Sequence, residues 1–163
     1  LIKYDKGEAC RKMLLYLAFV FAGGFFIEVV GVNTGLIFGH YNYGEGLSIK
    51  LFDTPLMIGL NWALMVYLSA AVVRSFRRNF LFQVLLPSTI MVAYDVIMEQ
   101  VAPKMDMWNW AGETIPLQNY LLWATIAVVF HAVRYFIRLE VKNRMALPIL
   151  IIQSIFFLLI WLI

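Results

Sequence analysis

The sequence predicts an all-α fold: a polytopic integral membrane helical bundle of about five spans, with a polar site at its outer face. Three observations predict it. Of the 163 residues, 63% are hydrophobic and 14% charged, with mean hydropathy +0.80, whereas a soluble domain averages about 45–50% and 25%. The excess is gathered into long apolar runs separated by short polar stretches. The charges are divided unequally between the two sets of connecting segments. Inside lipid a backbone must satisfy its own polar groups, so each run is a helix or a barrel strand. The runs are continuously apolar over roughly 20 residues, which is helical length and lacks the alternation of a barrel.

Helix 1 is expected over about Arg11 to Val32, helix 2 over Pro55 to Val73 and helix 3 over Phe80 to Val101. Helix 4 is expected over Pro116 to Ile137 and helix 5 over Leu147 to Ile163. Pro55, Pro116 and Pro148 fall near helix starts, where a missing N–H costs little. Pro87 falls inside helix 3 and predicts a kink. The whole chain, 1–163, reads as one transmembrane domain. It starts without methionine and stops within an apolar run, so residues missing at one or both ends are expected. No cleavable signal peptide is evident.

Orientation follows from the basic residues. Lys3, Lys6, Arg11, Lys12, Arg74, Arg77, Arg78, Arg134, Arg138, Lys142 and Arg144 fall on one side, and only Lys50 and Lys104 on the other. Eleven against two predicts a cytoplasmic N-terminus, with the 74–79 and 138–146 loops also inside. The expected location is the inner (plasma) membrane. Most acids go the other way: Glu28, Glu45, Asp53, Asp95, Glu99, Asp106 and Glu113 lie in the outer half or the outer loops.

Glu28 and Asp95 lie deep in apolar helices. An ionised carboxylate there costs ~2.5–3.5 kcal/mol on insertion scales, so each should face the interior and either pair or take up a proton. Asp95 and Glu99 are spaced i, i+4 on one helix face. Such acids supply either a general acid or a structural network that locks helices together. Asn61 could hold an acid or a water, or make an ordinary interhelical bond. Trp108, Trp110, Tyr41, Tyr43 and Tyr120 form either an interfacial belt or a pocket whose rings stabilise a cation. The one cysteine, Cys10, excludes a disulfide framework. The two histidines, His40 and His131, are too few for the His-rich iron sites of membrane hydroxylases, desaturases or carotenoid-cleaving oxygenases.

Read as strings, these segments resemble a known family. Glu28, Gly31, Thr34, Gly35, Phe38, Gly39, Tyr41 and Tyr43 stand at the spacing E-x-x-G-x-x-T-G-x-x-F-G-x-Y-x-Y, followed by Asp53, Pro55, Asn61 and Trp62. A second block holds Asp95, Glu99, Pro103, Trp108, Trp110, Pro116, Asn119 and Trp123. Together they resemble the carotenoid biosynthesis membrane proteins, which include carotenoid 1,2-hydratases and bisanhydrobacterioruberin hydratases. Members of that family are expected to be often longer by a helix or two.

The resemblance implies addition of water across the terminal C1=C2 bond of a linear carotenoid such as lycopene, without metal or other cofactor. One of Asp95 and Glu28 would be the acid and the other would hold the water, with Glu99, Asp53 and Asn61 in support. Tyr41, Tyr43, Trp62, Trp108, Trp110 and Asn119 would line the substrate pocket. The implied partners are the lipophilic carotenoid, membrane lipid, and a second copy or other pathway enzymes, with no nucleic acid. The substrate should enter sideways from lipid through a cleft that ends at the acids. A carotenoid end-group cyclase, which keeps its pocket dry, is the competing enzyme. A proton- or solute-conducting protein or a purely structural subunit is the competing non-enzyme.

Overall fold

A computed structural model describes residues 6–76, 79–112 and 114–163. Lys3, Asp5, Arg77, Arg78 and Glu113 lie outside the described residues. The five expected helices are present: α1 (Lys6–Thr34), α2 (Leu56–Val72), α3 (Leu86–Val101), α4 (Leu117–Phe136) and α5 (Ala146–Leu162). Three helical stretches, Gly7–Thr34, Leu56–Ser75 and Leu81–Val101, are each long and apolar enough to cross a membrane. Helix α5 is apolar but shorter. Helix α4 is continuous but carries Asn119, His131 and Arg134, all of them buried, within its apolar sequence.

Helix α2 is the central element and packs against each of the other four. Its small and flexible residues, among them Met65, Val66, Ala70 and Ala71, are buried in the common core. Trp62 is fully buried and stacks on Trp123 of α4 at 3.8 Å between ring centres. Large apolar side chains remain exposed on all five helices, among them Leu14 and Phe19 of α1, Leu60 of α2, Val96 of α3, Leu121 of α4 and Ile152 and Phe156 of α5. Water would penalise so large an apolar exterior, and lipid would not.

The kink expected at Pro87 takes the form of a π-helical turn, Leu81–Leu85, that runs directly into α3. Proline has no N–H to give the carbonyl four residues earlier, which is that of Gln83. Arg134 of α4 donates to that carbonyl and also to the Gln83 side-chain oxygen at 3.3 Å. The helix break is thus met by a buried cation from a neighbouring helix.

At the opposite end the chain forms two small sheets that helical reading does not anticipate. β1 (Tyr41–Tyr43) pairs antiparallel with β4 (Trp108–Trp110), in the register Tyr41 to Trp110, Asn42 to Asn109 and Tyr43 to Trp108. Main-chain bonds from Ala111 to His40, Gly44 to Met107 and Gly46 to Asp106 extend the ladder at both ends. β2 (Lys50–Leu51) and β3 (Thr54–Pro55) form a hairpin closed by Phe52 and Asp53.

Both lysines at this end have structural work. Lys50 Nζ donates to Tyr43 O and pairs with Glu45 at 2.8 Å. Lys104 Nζ donates to the terminal carbonyls of α5, at Ile160 and Trp161, where a cation suits the helix dipole. At the other end, Lys12 of α1 caps the carbonyl of Ile137 beyond α4. The basic and acidic ends seen in the sequence are therefore two physical ends of the bundle.

Candidate functional site

The site is built where α1, α2, α3 and α4 meet beneath the β1–β4 ladder. Glu28 of α1 is buried, and both of its oxygens are occupied. Oε2 accepts from the hydroxyls of Tyr41 at 2.7 Å and Tyr43 at 2.8 Å, and Oε1 accepts from Trp62 Nε1 at 3.1 Å. Glu99 of α3, also buried, is held in the same manner by other donors. Its Oε2 accepts from Trp108 Nε1 at 3.0 Å and Trp110 Nε1 at 2.8 Å, and its Oε1 accepts from Asn119 Nδ2 at 2.9 Å. A hydrogen bond to a charged group contributes about 1.5–3 kcal/mol, so each clamp offsets much of the cost of burying a carboxylate.

The local sequence explains how the clamps form. Gly31 lies one helical turn after Glu28, on the same face. A Cβ there would meet the Phe38 ring at 2.6 Å and the Tyr41 hydroxyl at 3.2 Å. Only glycine lets the returning loop lie close enough to α1 for Tyr41 to reach Glu28. Gly35, at φ +67°, turns the chain out of the helix. The alternation of β1 and β4 sends Tyr41, Tyr43, Trp108 and Trp110 to one face, toward the carboxylates, and Asn42 and Asn109 out to solvent. Burial and the neighbouring Glu28 carboxylate push both tyrosine hydroxyls far above the usual phenol range, so they act as hydrogen-bond donors.

Glu28 and Glu99 face one cavity of about 20 Å³, whose walls include Asn61, Met98, Trp110 and Trp123. This exceeds the roughly 10–15 Å³ that one water needs. It is far too small for a branched hydrocarbon end. The Asn61 side chain has no hydrogen-bond partner among the described residues and is available to such a water.

Most of the residues singled out in the sequence are brought together here: Glu28, Glu99, Asn61, Asn119, Tyr41, Tyr43, Trp62, Trp108 and Trp110. Two are not. Asp53 is exposed, with φ +59°, and with Phe52 forms the two-residue turn of the β2–β3 hairpin. Both turn residues have positive φ, a conformation that aspartate tolerates better than most. It is a turn residue and does not support the acids. Asp95 is fully buried one turn before Glu99 but does not line the cavity. Neither of its oxygens has a hydrogen-bond partner. The expectation that Glu28, Asp95 and Asn61 converge on one cavity therefore holds for Glu28 and Asn61, and Glu99 takes the place given to Asp95. His131 makes the packing bond expected of a lone histidine, to Ser69 Oγ at 3.1 Å. Among the described residues, no three His, Cys, Asp or Glu side chains are grouped to hold a metal.

A helical membrane bundle with two donor-clamped carboxylates facing one small cavity defines the class: an all-α membrane protein with a buried acid site. Residues 5–163 match the family described as carotenoid biosynthesis protein, and the chain belongs to that family. No curated protein and no solved structure matches it.

Proposed function

We propose that the chain is a carotenoid 1,2-hydratase, which adds water across the terminal C1=C2 bond of a linear carotenoid. The observation that carries this reading is the pair Glu28 and Glu99, on different helices, facing one polar, water-sized cavity beside the free amide of Asn61. Hydration needs a proton donor and a held water side by side, and this arrangement supports that reading.

The donors around each acid suggest its role. Glu28 is held in part by hydroxyls, which can rotate and accept, so it can carry a proton without losing its partners. Indole N–H groups only donate. The two that meet on Glu99 Oε2 suit an ionised acceptor. Glu28 then gives its proton to C2. The π electrons form the new C–H bond and leave a tertiary cation at C1, which faces the indole rings. A water held by Asn61 and Glu99 attacks C1 and releases a proton to the Glu99 carboxylate. Return of that proton to Glu28 through water completes the cycle. Asp95, buried without donors, is stable there as the neutral acid and lies outside this exchange.

A polar cavity of this size favours hydration over cyclisation, which needs water kept from the cation. A conducting protein would need a polar path to the basic end. There Ser88 and Thr89 spend their hydroxyl protons on carbonyls of their own helix. Because the end group exceeds the cavity, its entry requires the aromatic ladder or the helices to part. Purified protein given lycopene in oxygen-18 water should yield a tertiary alcohol with one labelled oxygen per reacted end. A ring product without oxygen would contradict the proposal.

The proposed orientation puts the acid site on the outer side of the plasma membrane. Ser48 and Ser75 are exposed at opposite ends of the bundle. With Cys10 replaced by serine, a cysteine at 48 should react with an impermeant maleimide on intact cells, and one at 75 only after lysis. The reverse pattern would invert the topology.

A further inference from the structure

A second cavity lies at the other end of the bundle from the acids. It has a volume of about 510 Å³ and lies where α4 ends, against the turns that follow α2 and precede α3. Arg74, Arg134 and Arg138 line it, together with Gln83 and one acid, Glu140. Glu140 is paired with Lys142 at 3.5 Å. We infer that this cavity binds a phosphate group.

Two observations point there independently. The first is Arg134, which is 4% exposed. Its Nη1 donates to Leu139 O at 3.3 Å and its Nη2 to Gln83, while its Nε has no partner. All of its partners are neutral, and no carboxylate lies within ion-pair distance of it among the described residues. A buried guanidinium without a counter-charge is costly, and an anion in the cavity that it lines would supply that charge. Phosphate fits a guanidinium fork and takes more than one N–H.

The second is the backbone of Arg138. Leu139 N bonds to Arg134 O and Arg138 N to Tyr135 O, both at 3.0 Å. This is the pair of bonds that closes a helix through a left-handed residue, a place where glycine is preferred. Arg138 occupies it at φ +54°. A long side chain there carries strain that glycine would not. Arg138 at that position adds a third arginine to the residues that line the cavity.

The phosphate could come from a phospholipid headgroup, since the cavity also has the apolar walls Tyr135, Phe136 and Leu139, or from a soluble ion. The test uses the whole chain in neutral detergent, with dioctanoyl phosphatidylglycerol, dioctanoylglycerol and inorganic phosphate as probes, each titrated by calorimetry. Saturable binding of the phosphatidylglycerol and not of dioctanoylglycerol is expected. Binding of inorganic phosphate with similar affinity would assign the site to a soluble ion, and its absence would assign it to lipid; both leave a phosphate site. Arg138→Gly should raise thermal stability yet weaken binding about tenfold or more, as expected for loss of one charge-assisted bond. Arg74→Gln should weaken binding without changing stability. Arg134→Gln should abolish binding if it folds; the two rim variants decide the matter if it does not. No saturable binding of either phosphate compound, equal binding of dioctanoylglycerol, or unchanged affinity in both rim variants would overturn the inference.

Discussion

Glu28→Gln is expected to lower turnover by about 10²–10⁴-fold, the usual contribution of a general acid, while folded protein remains in the membrane. On the proposed mechanism the substitution removes the proton given to C2 and little else. The glutamine oxygen can still accept from Trp62 Nε1, and its NH₂ can face the tyrosine hydroxyls, which rotate to accept. Burying an amide in place of a carboxyl adds no charge. The readout is hydroxylated carotenoid per unit of folded protein, by chromatography and mass. Asp95→Asn is the matched contrast, an acid of equal depth that does not line the cavity, and should keep turnover within about tenfold of wild type. Asp53→Gly, in the exposed hairpin turn, is the surface control. Near-normal turnover in Glu28→Gln with a collapse in Asp95→Asn would move the acid to Asp95.

Glu99→Gln is expected to cost about 10²–10³-fold, for a different reason. On the proposed mechanism the attacking water then loses its proton acceptor, and the developing cation loses a nearby negative charge. The fold again has a way to adapt. Trp108 and Trp110 cannot accept, so the glutamine oxygen must stay with them, and its NH₂ then faces Asn119, whose amide can turn its oxygen inward. A double variant with Asn119→Leu removes that accommodation and leaves a buried amide group unpaired, which costs about 1–3 kcal/mol. It should therefore lose folded protein as well as activity, measured as the melting temperature in detergent.

The helices were legible because a span of lipid demands a long apolar run, and three of the five helices are long and apolar enough to make one. Glu28, Glu99 and Asn61 were legible as groups that face the bundle interior because polar side chains at those depths are costly to leave facing lipid. The Asp53 reading failed because a motif position carries no information about which way a turn residue points. Two adjacent residues with positive φ turned it outward. Asp95 and Glu99 share a helix face, but spacing alone could not say which of them ends beside the cavity. The β1–β4 ladder was hidden by its shortness, since three residues show no period. The sole hint was the matched alternation of Tyr41-Asn42-Tyr43 and Trp108-Asn109-Trp110, which resolves the aromatic cluster into hydrogen-bond donors to the acids. Pro87 announced a break in α3 but not the cation that meets it.

Conversion of a linear carotenoid end into a tertiary alcohol is the activity proposed for this chain. Its most direct measurement is expression of the chain in a bacterium that accumulates lycopene, followed by pigment mass analysis. New pigments heavier than lycopene by the mass of one water, or of two where both ends react, are expected, as is their loss with Glu28→Gln. A cyclic product of unchanged mass, or unaltered lycopene despite abundant folded protein in the membrane, would contradict it.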